Sequence, residues 1–105
     1  MGSFLEVDAG GLQEMLRDEH VLIDVRTDGE VARGLIPGAR HIPLHAFAAS
    51  LAQIGRECPV VVYCQSGVRS AQAATFLAQS GWPRVYNLKG GFGAWTALGF
   101  PVARP

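Results

Sequence analysis

Val60-Val61-Val62-Tyr63-Cys64-Gln65-Ser66-Gly67-Val68-Arg69-Ser70-Ala71 is the stretch that decides the fold. Three valines and a tyrosine in succession, with Pro59 confined to the first position of the run, make a buried strand. A cysteine follows at once, then a short loop around Gly67. The Ala-rich run Ser70–Ser80, with Phe76 and Leu77, then reads as a helix closed by Gly81. A strand leading through a tight loop into a helix is the repeating unit of parallel sheets.

The same alternation extends in both directions. Val21–Val25 is an apolar run broken only by Asp24, which suits a second buried parallel strand. Phe4–Val7, Ala39–Ile42 and Val85–Leu88 read as further short strands. Gly11–Asp18 reads as a helix, with Leu12, Met15 and Leu16 on one face. Thr27-Asp28-Gly29-Glu30 has the spacing of a capping box and starts a short helix that stops before Pro37-Gly38. Leu44–Ile54 is helical in composition and ends at Gly55, and Phe92–Leu98 forms a last short helix. The expectation is an α/β domain with a mostly parallel sheet and helices on both faces. Ligands of such sheets bind beyond the carboxyl ends of strands, where Asp24 and Cys64 both lie.

Composition narrows the function. With 105 residues, the chain is expected to form one domain over 1–105. Residues of the AVILMFWYC set make up 49%, enough apolar surface to exclude disorder. Nine basic and nine acidic residues leave no net charge, so the footprint of a nucleic-acid binder or a basic membrane-surface protein is missing. No apolar run approaches the ~18 residues of a membrane span. The first sixteen residues carry no Lys or Arg, unlike a secretory signal, and two cysteines are too few for a disulfide framework. These features predict a cytoplasmic protein with reduced thiols.

The loop carries the chemistry. Backbone N–H groups between a strand end and a helix N-terminus turn inward as an anion nest, and the helix adds partial positive charge. Gly67 supplies the positive φ that such curvature needs, and Arg69 adds a planar fork matched to oxyanions. A lone cysteine is most often a small buried hydrophobe. Cys64, however, sits in a field that favours its thiolate. A thiol of pKa about 8.5 is about 3% ionised at pH 7, whereas one lowered to about 6.5 is about 75% ionised. Cys58 is separated from Cys64 by five residues of strand. At ~3.3 Å per residue an intrachain disulfide is excluded, and Cys58 is expected to be inert.

The Cys64–Ser70 loop, CQSGVRS, resembles the active-site loop of rhodanese-type sulfurtransferases. The resemblance covers nearly the whole chain. Leu22–Arg26, Glu30 and Gly34–Leu44 resemble the family's upstream motif. Val85–Gly91, Trp95, Gly99 and Pro101-Val102 resemble its C-terminal motif. Leu35 stands where the family usually has His before Ile-Pro-Gly-Ala, at a position that looks structural. The resemblance implies a three-layer α/β/α rhodanese-like domain with a five-stranded sheet. It also implies a thiosulfate sulfurtransferase working through a Cys64 persulfide, without metal or organic cofactor. Gln65, Ser66, Gly67, Val68, Arg69 and Ser70 would surround the sulfur and bind a small anionic donor, with Arg69 on the donor's sulfonate. The donor is thiosulfate or mercaptopyruvate; the acceptor is cyanide in the test tube and a thiol or a protein in the cell.

Two rivals stand beside this reading. A cysteine-dependent phosphatase or arsenate reductase also places Cys and Arg around an anion loop, but its loop is one residue longer than the four residues here, and Tyr63 stands where phosphatases typically have His. A persulfide carrier or partner-binding module would keep Cys64 yet turn over little free thiosulfate. The remaining residues read mainly as structural. Pro43 separates His41 from His45, which breaks the helical spacing of a metal pair. Arg26 and Glu30, four apart, are expected to pair locally. Asp24 either anchors active-site backbone or caps the next turn. Trp82, Phe92 and Trp95 are expected in the core.

Overall fold

The computed structural model describes residues 3–105. Five strands form one sheet: β1 (Leu5–Val7), β2 (Val21–Asp24), β3 (Arg40–His41), β4 (Val60–Tyr63) and β5 (Val85–Leu88), in the order β1-β5-β4-β2-β3. All of these pairings are parallel. Four helices accompany them: α1 (Ala9–Met15), α2 (Asp28–Val31), α3 (Val68–Gln79) and α4 (Gly91–Ala97).

The alternation of side chains along β4 divides the interior in two. Val60, Val62 and Cys64 join Ile23, Val25, Val85 and the buried face of α3, including Ala74 and Leu77. Val61 and Tyr63 face the other way, against Leu12 of α1, Trp95 of α4, Ile36 and Leu88. The result is an α/β/α sandwich with β4 buried on both faces, which is why its sequence is uniformly apolar.

Local signals set the helix ends. Asp8 caps α1 by accepting the Gly11 N–H at 2.7 Å, so the helix starts two residues before the stretch read from periodicity. Thr27 and Glu30 close the expected capping box on α2. Leu44–Ile54 is not an α-helix. It forms two 3-10 stretches, Leu44–Ala46 and Ala48–Gln53. The residues it turns inward, Leu44 and Phe47, then Leu51 and Ile54, are spaced by three, and side chains three apart line up on a 3-10 turn. Leu35 exchanges backbone hydrogen bonds with Ala103 at 2.9 and 2.8 Å, bonds that do not depend on its side chain.

Candidate active site

Cys64 is the first residue beyond β4, and Gly67 is the N-cap of α3 with φ of 105°. That left-handed turn folds the loop back so that the Gly67 N–H points at Cys64 Sγ, 3.1 Å away. The Ser70 hydroxyl lies 3.4 Å from the same sulfur. Burial opposes ionisation of the thiol. The Ser70 hydroxyl and the N–H groups of Ser70, Gly67 and Ser66 outweigh it, so the Cys64 pKa is lowered. A hydroxyl has one proton to donate. Ser70 Oγ also stands 2.6 Å from Asn87 Oδ1, and the shorter contact takes that proton more readily. The backbone donors are therefore the dependable part of the nest.

The loop is held from three sides. From α4, Phe92 and Gly93 donate their N–H groups to the carbonyls of Cys64 and Gln65 at 2.8 and 3.1 Å. From β5, Asn87 donates to the Gly67 carbonyl at 3.1 Å and to Glu6 at 3.0 Å. From β2, Asp24 and Arg26 form a buried pair, 2.8 Å between Nη2 and Oδ2. Asp24 also accepts the Arg26 N–H at 2.9 Å. The Arg26 guanidinium donates onward to the Gly34 carbonyl at 2.6 Å and to Gln65 Oε1 at 3.3 Å, and lies 4.2 Å over the Phe92 ring. Asp24 thus caps the turn that follows β2, and its partner Arg26 reaches the Gln65 side chain rather than the backbone of the loop.

Arg26 does not pair with Glu30, contrary to the spacing-based expectation. Residues 25–27 are not helical, and Thr27 is extended at the N-cap of α2, so Arg26 and Glu30 do not share a helix face. Glu30 instead takes Arg69, thirty-nine residues away, in two parallel bonds of 2.8 and 2.9 Å. Those bonds, helped by the Thr27 N–H and hydroxyl, push the Glu30 pKa down to about 2 against the cost of burial. Of the residues expected to surround the sulfur, Gly67 and Ser70 reach it, and Ser66 contributes its N–H. Gln65 leans on Arg26, Arg69 is occupied by Glu30, and the Val68 side chain is 69% exposed. Cys58 precedes Pro59 outside β4 and is a free thiol, like Cys64. Trp82 and Trp95 are buried, whereas half-buried Phe92 lines a cavity of about 590 Å³ with Gln65, Glu30 and Arg33.

The sequence reading took Asn87 only as part of the Val85–Gly91 motif and missed its place at the site, although a polar residue inside the strand Val85–Leu88 signals a buried partner. Gly91 was missed in the same way. Its φ is 61°, and a Cβ there would stand 2.5 Å from the Cys64 carbonyl oxygen, so α4 approaches the loop as closely as it does only because residue 91 has no side chain.

Comparison with known proteins accords with this geometry. Residues 8–98 match the rhodanese-like domain family. The chain is 41% identical over 102 residues to a sulfurtransferase of Allochromatium vinosum, covering 95% of each chain. It is 33% identical over 101 residues to the thiosulfate sulfurtransferase GlpE of Glaesserella parasuis, covering 95% of this chain and 94% of that one. The crystal structure of a rhodanese-related protein from Thermoplasma volcanium superposes with a TM-score of 0.89 at 29% identity, over 95% of this chain and 98% of the other. With a parallel α/β/α sandwich, a cysteine at the end of its central strand and relatives matched along nearly their full length, this chain belongs to the rhodanese-like sulfurtransferase family.

Proposed function

We propose that this single domain is a thiosulfate sulfurtransferase with Cys64 as its nucleophile. The observation that carries the reading is the Gly67 N–H aimed at Cys64 Sγ from 3.1 Å at the head of α3, a donor placed to hold negative charge on sulfur. The Cys64 thiolate attacks the outer sulfur of thiosulfate. A Cys–S–S bond forms, the S–S bond of the donor breaks, and its electron pair leaves on sulfite. The transferred sulfur becomes the terminal atom of a persulfide that the N–H groups of residues 65–70 would surround. A second nucleophile, cyanide in an assay or a thiol or acceptor protein in the cytoplasm, takes that sulfur and restores the thiolate. Neither metal nor organic cofactor enters these steps. Arg69 binds the sulfonate of the donor, and Asp24 acts as a positioning residue through Arg26. The relative named as a thiosulfate sulfurtransferase supports the choice of donor.

Two observations favour a second reading, a persulfide carrier with little turnover of free thiosulfate: Cys64 is only 1% exposed and Arg69 is already engaged by Glu30. Steady-state transfer from thiosulfate to cyanide separates the two. The enzyme reading expects sustained turnover in the wild type, loss in Cys64→Ser and retention in Cys58→Ser. A stably folded Cys58→Ser protein without turnover would overturn the assignment of the nucleophile. Wild type that loads sulfur once but does not cycle would establish the carrier.

A further inference from the structure

Glu30 is fixed from two sides. The Thr27 N–H and hydroxyl donate to its Oε1 at 3.0 and 3.1 Å, and Arg69 donates Nη1 to Oε1 and Nη2 to Oε2. The pair stands at the surface, with the Arg69 and Glu30 side chains 35% and 32% exposed, and Glu30 lines the cavity beside Gln65. A carboxylate therefore occupies the planar fork that a donor's sulfonate would need. The N–H group at Cys64 Sγ is separate from this fork and remains directed at the sulfur.

Resting on the reading that Arg69 binds the donor, we propose that Glu30 is a built-in competitor for the Arg69 guanidinium. It yields the fork to the sulfonate when thiosulfate binds, and retakes it as sulfite leaves. Glu30 in this role is a specificity-determining residue that weakens anion binding and speeds product release. The exchange balances with the chemistry, because the Cys–S–S bond forms as the donor's S–S bond breaks. Sulfite departs with the electron pair, no proton moves, and total charge is unchanged. The outgoing anion leaves a guanidinium that the Glu30 carboxylate, still held in place by the Thr27 N–H and hydroxyl, refills.

Glu30→Gln isolates the effect, since Gln at this helix position keeps the capping box while removing the charge. An ion pair this exposed is a modest competitor, so the KM for thiosulfate should fall about 2- to 5-fold. Product inhibition by sulfite should tighten by a similar factor, with no gain in kcat and no change in alkylation of Cys64 by neutral iodoacetamide. Protection of Cys64 by sulfate, an unreactive anion, reads binding without turnover. The half-protecting concentration should be lower in Glu30→Gln. An unchanged or raised KM together with unchanged sulfite inhibition and sulfate protection overturns the competitor role. Arg69→Ala separates the competitor role of Glu30 from donor binding by Arg69. Should Arg69→Ala lose thiosulfate use while Glu30→Gln gains nothing, the competitor role alone fails. Should Arg69→Ala use thiosulfate as well as wild type, donor binding by Arg69 fails and the competitor role falls with it.

Discussion

At Cys64 two opposing effects act on one sulfur atom. Burial favours the neutral thiol, and the inward N–H groups favour the thiolate; the hydrogen bonds win. Alkylation by iodoacetamide should therefore titrate below the ~8.5 of a free thiol. Because Ser70 gives its proton more readily to Asn87, Ser70→Ala should still titrate below that value. A wild-type titration at or above the free-thiol value would remove the electrostatic basis of the site. Cys64, Gly67 and Ser70 were legible in the sequence because the loop that joins them is local. The partners of Arg26 and Glu30 were not. Their spacing of four suggests a pair, but the non-helical chain at residues 25–27 and the arrival of Arg69 from a distant segment decide otherwise. No local rule contains that second contact.

Among the elements, α4 does the least expected work. In its first turn the N–H groups of Phe92 and Gly93 hold the backbone of the loop that carries Cys64. Gly91→Ala should drive a Cβ into the carbonyls of Cys64 and Gln65 as well as strain a φ of 61°. A displacement of this kind is expected to lower kcat/KM for thiosulfate on the order of 10- to 100-fold. Gly99→Ala is the control: its φ of 74° carries similar strain, but nothing lies within 4 Å. It should cost about 1 kcal/mol in urea unfolding and leave the kinetics intact. Equal loss of activity in both variants would mean that strain alone, not the loop contact, explains Gly91. Strand and helix order was readable throughout, since turn residues punctuate each unit. The 3-10 character of Leu44–Gln53 was not, because composition reports helix-forming residues without reporting the three-residue spacing of its anchors.

Taken as a whole, the molecule gathers its buried apolar residues into two cores, and among its charges Arg26–Asp24 and Arg69–Glu30 form ion pairs of 2.8 Å. Among the described residues no buried side-chain nitrogen or oxygen lacks a hydrogen-bond partner, and no helix is long and apolar enough to cross a membrane. Glu30 makes one of those pairs visible in solution. Its folded pKa of about 2 lies below the ordinary 4.5, so its contribution is fully present above about pH 4.5 and is lost as pH falls toward 2. Wild type should exceed Glu30→Gln in urea stability by less than about 1 kcal/mol at pH 7, as expected of an exposed pair, and the two should converge near pH 2. A gap that persists at pH 2 would place the difference elsewhere than in the ion pair. The parallel sheet and the position of the site at strand ends followed from the sequence, because apolar runs and Gly-rich turns are local signals. The long-range tethers from Asn87 and Arg26 emerge only when β5 and β2 flank β4.

Whether Cys64 carries the sulfur can be read by intact-mass analysis after incubation with thiosulfate. Wild type and Cys58→Ser should gain the mass of one sulfur atom, located on the peptide that contains Cys64 and removed by cyanide. Cys64→Ser should gain nothing. A protein that stays unmodified under these conditions, or one that carries the added sulfur on Cys58, would contradict the account.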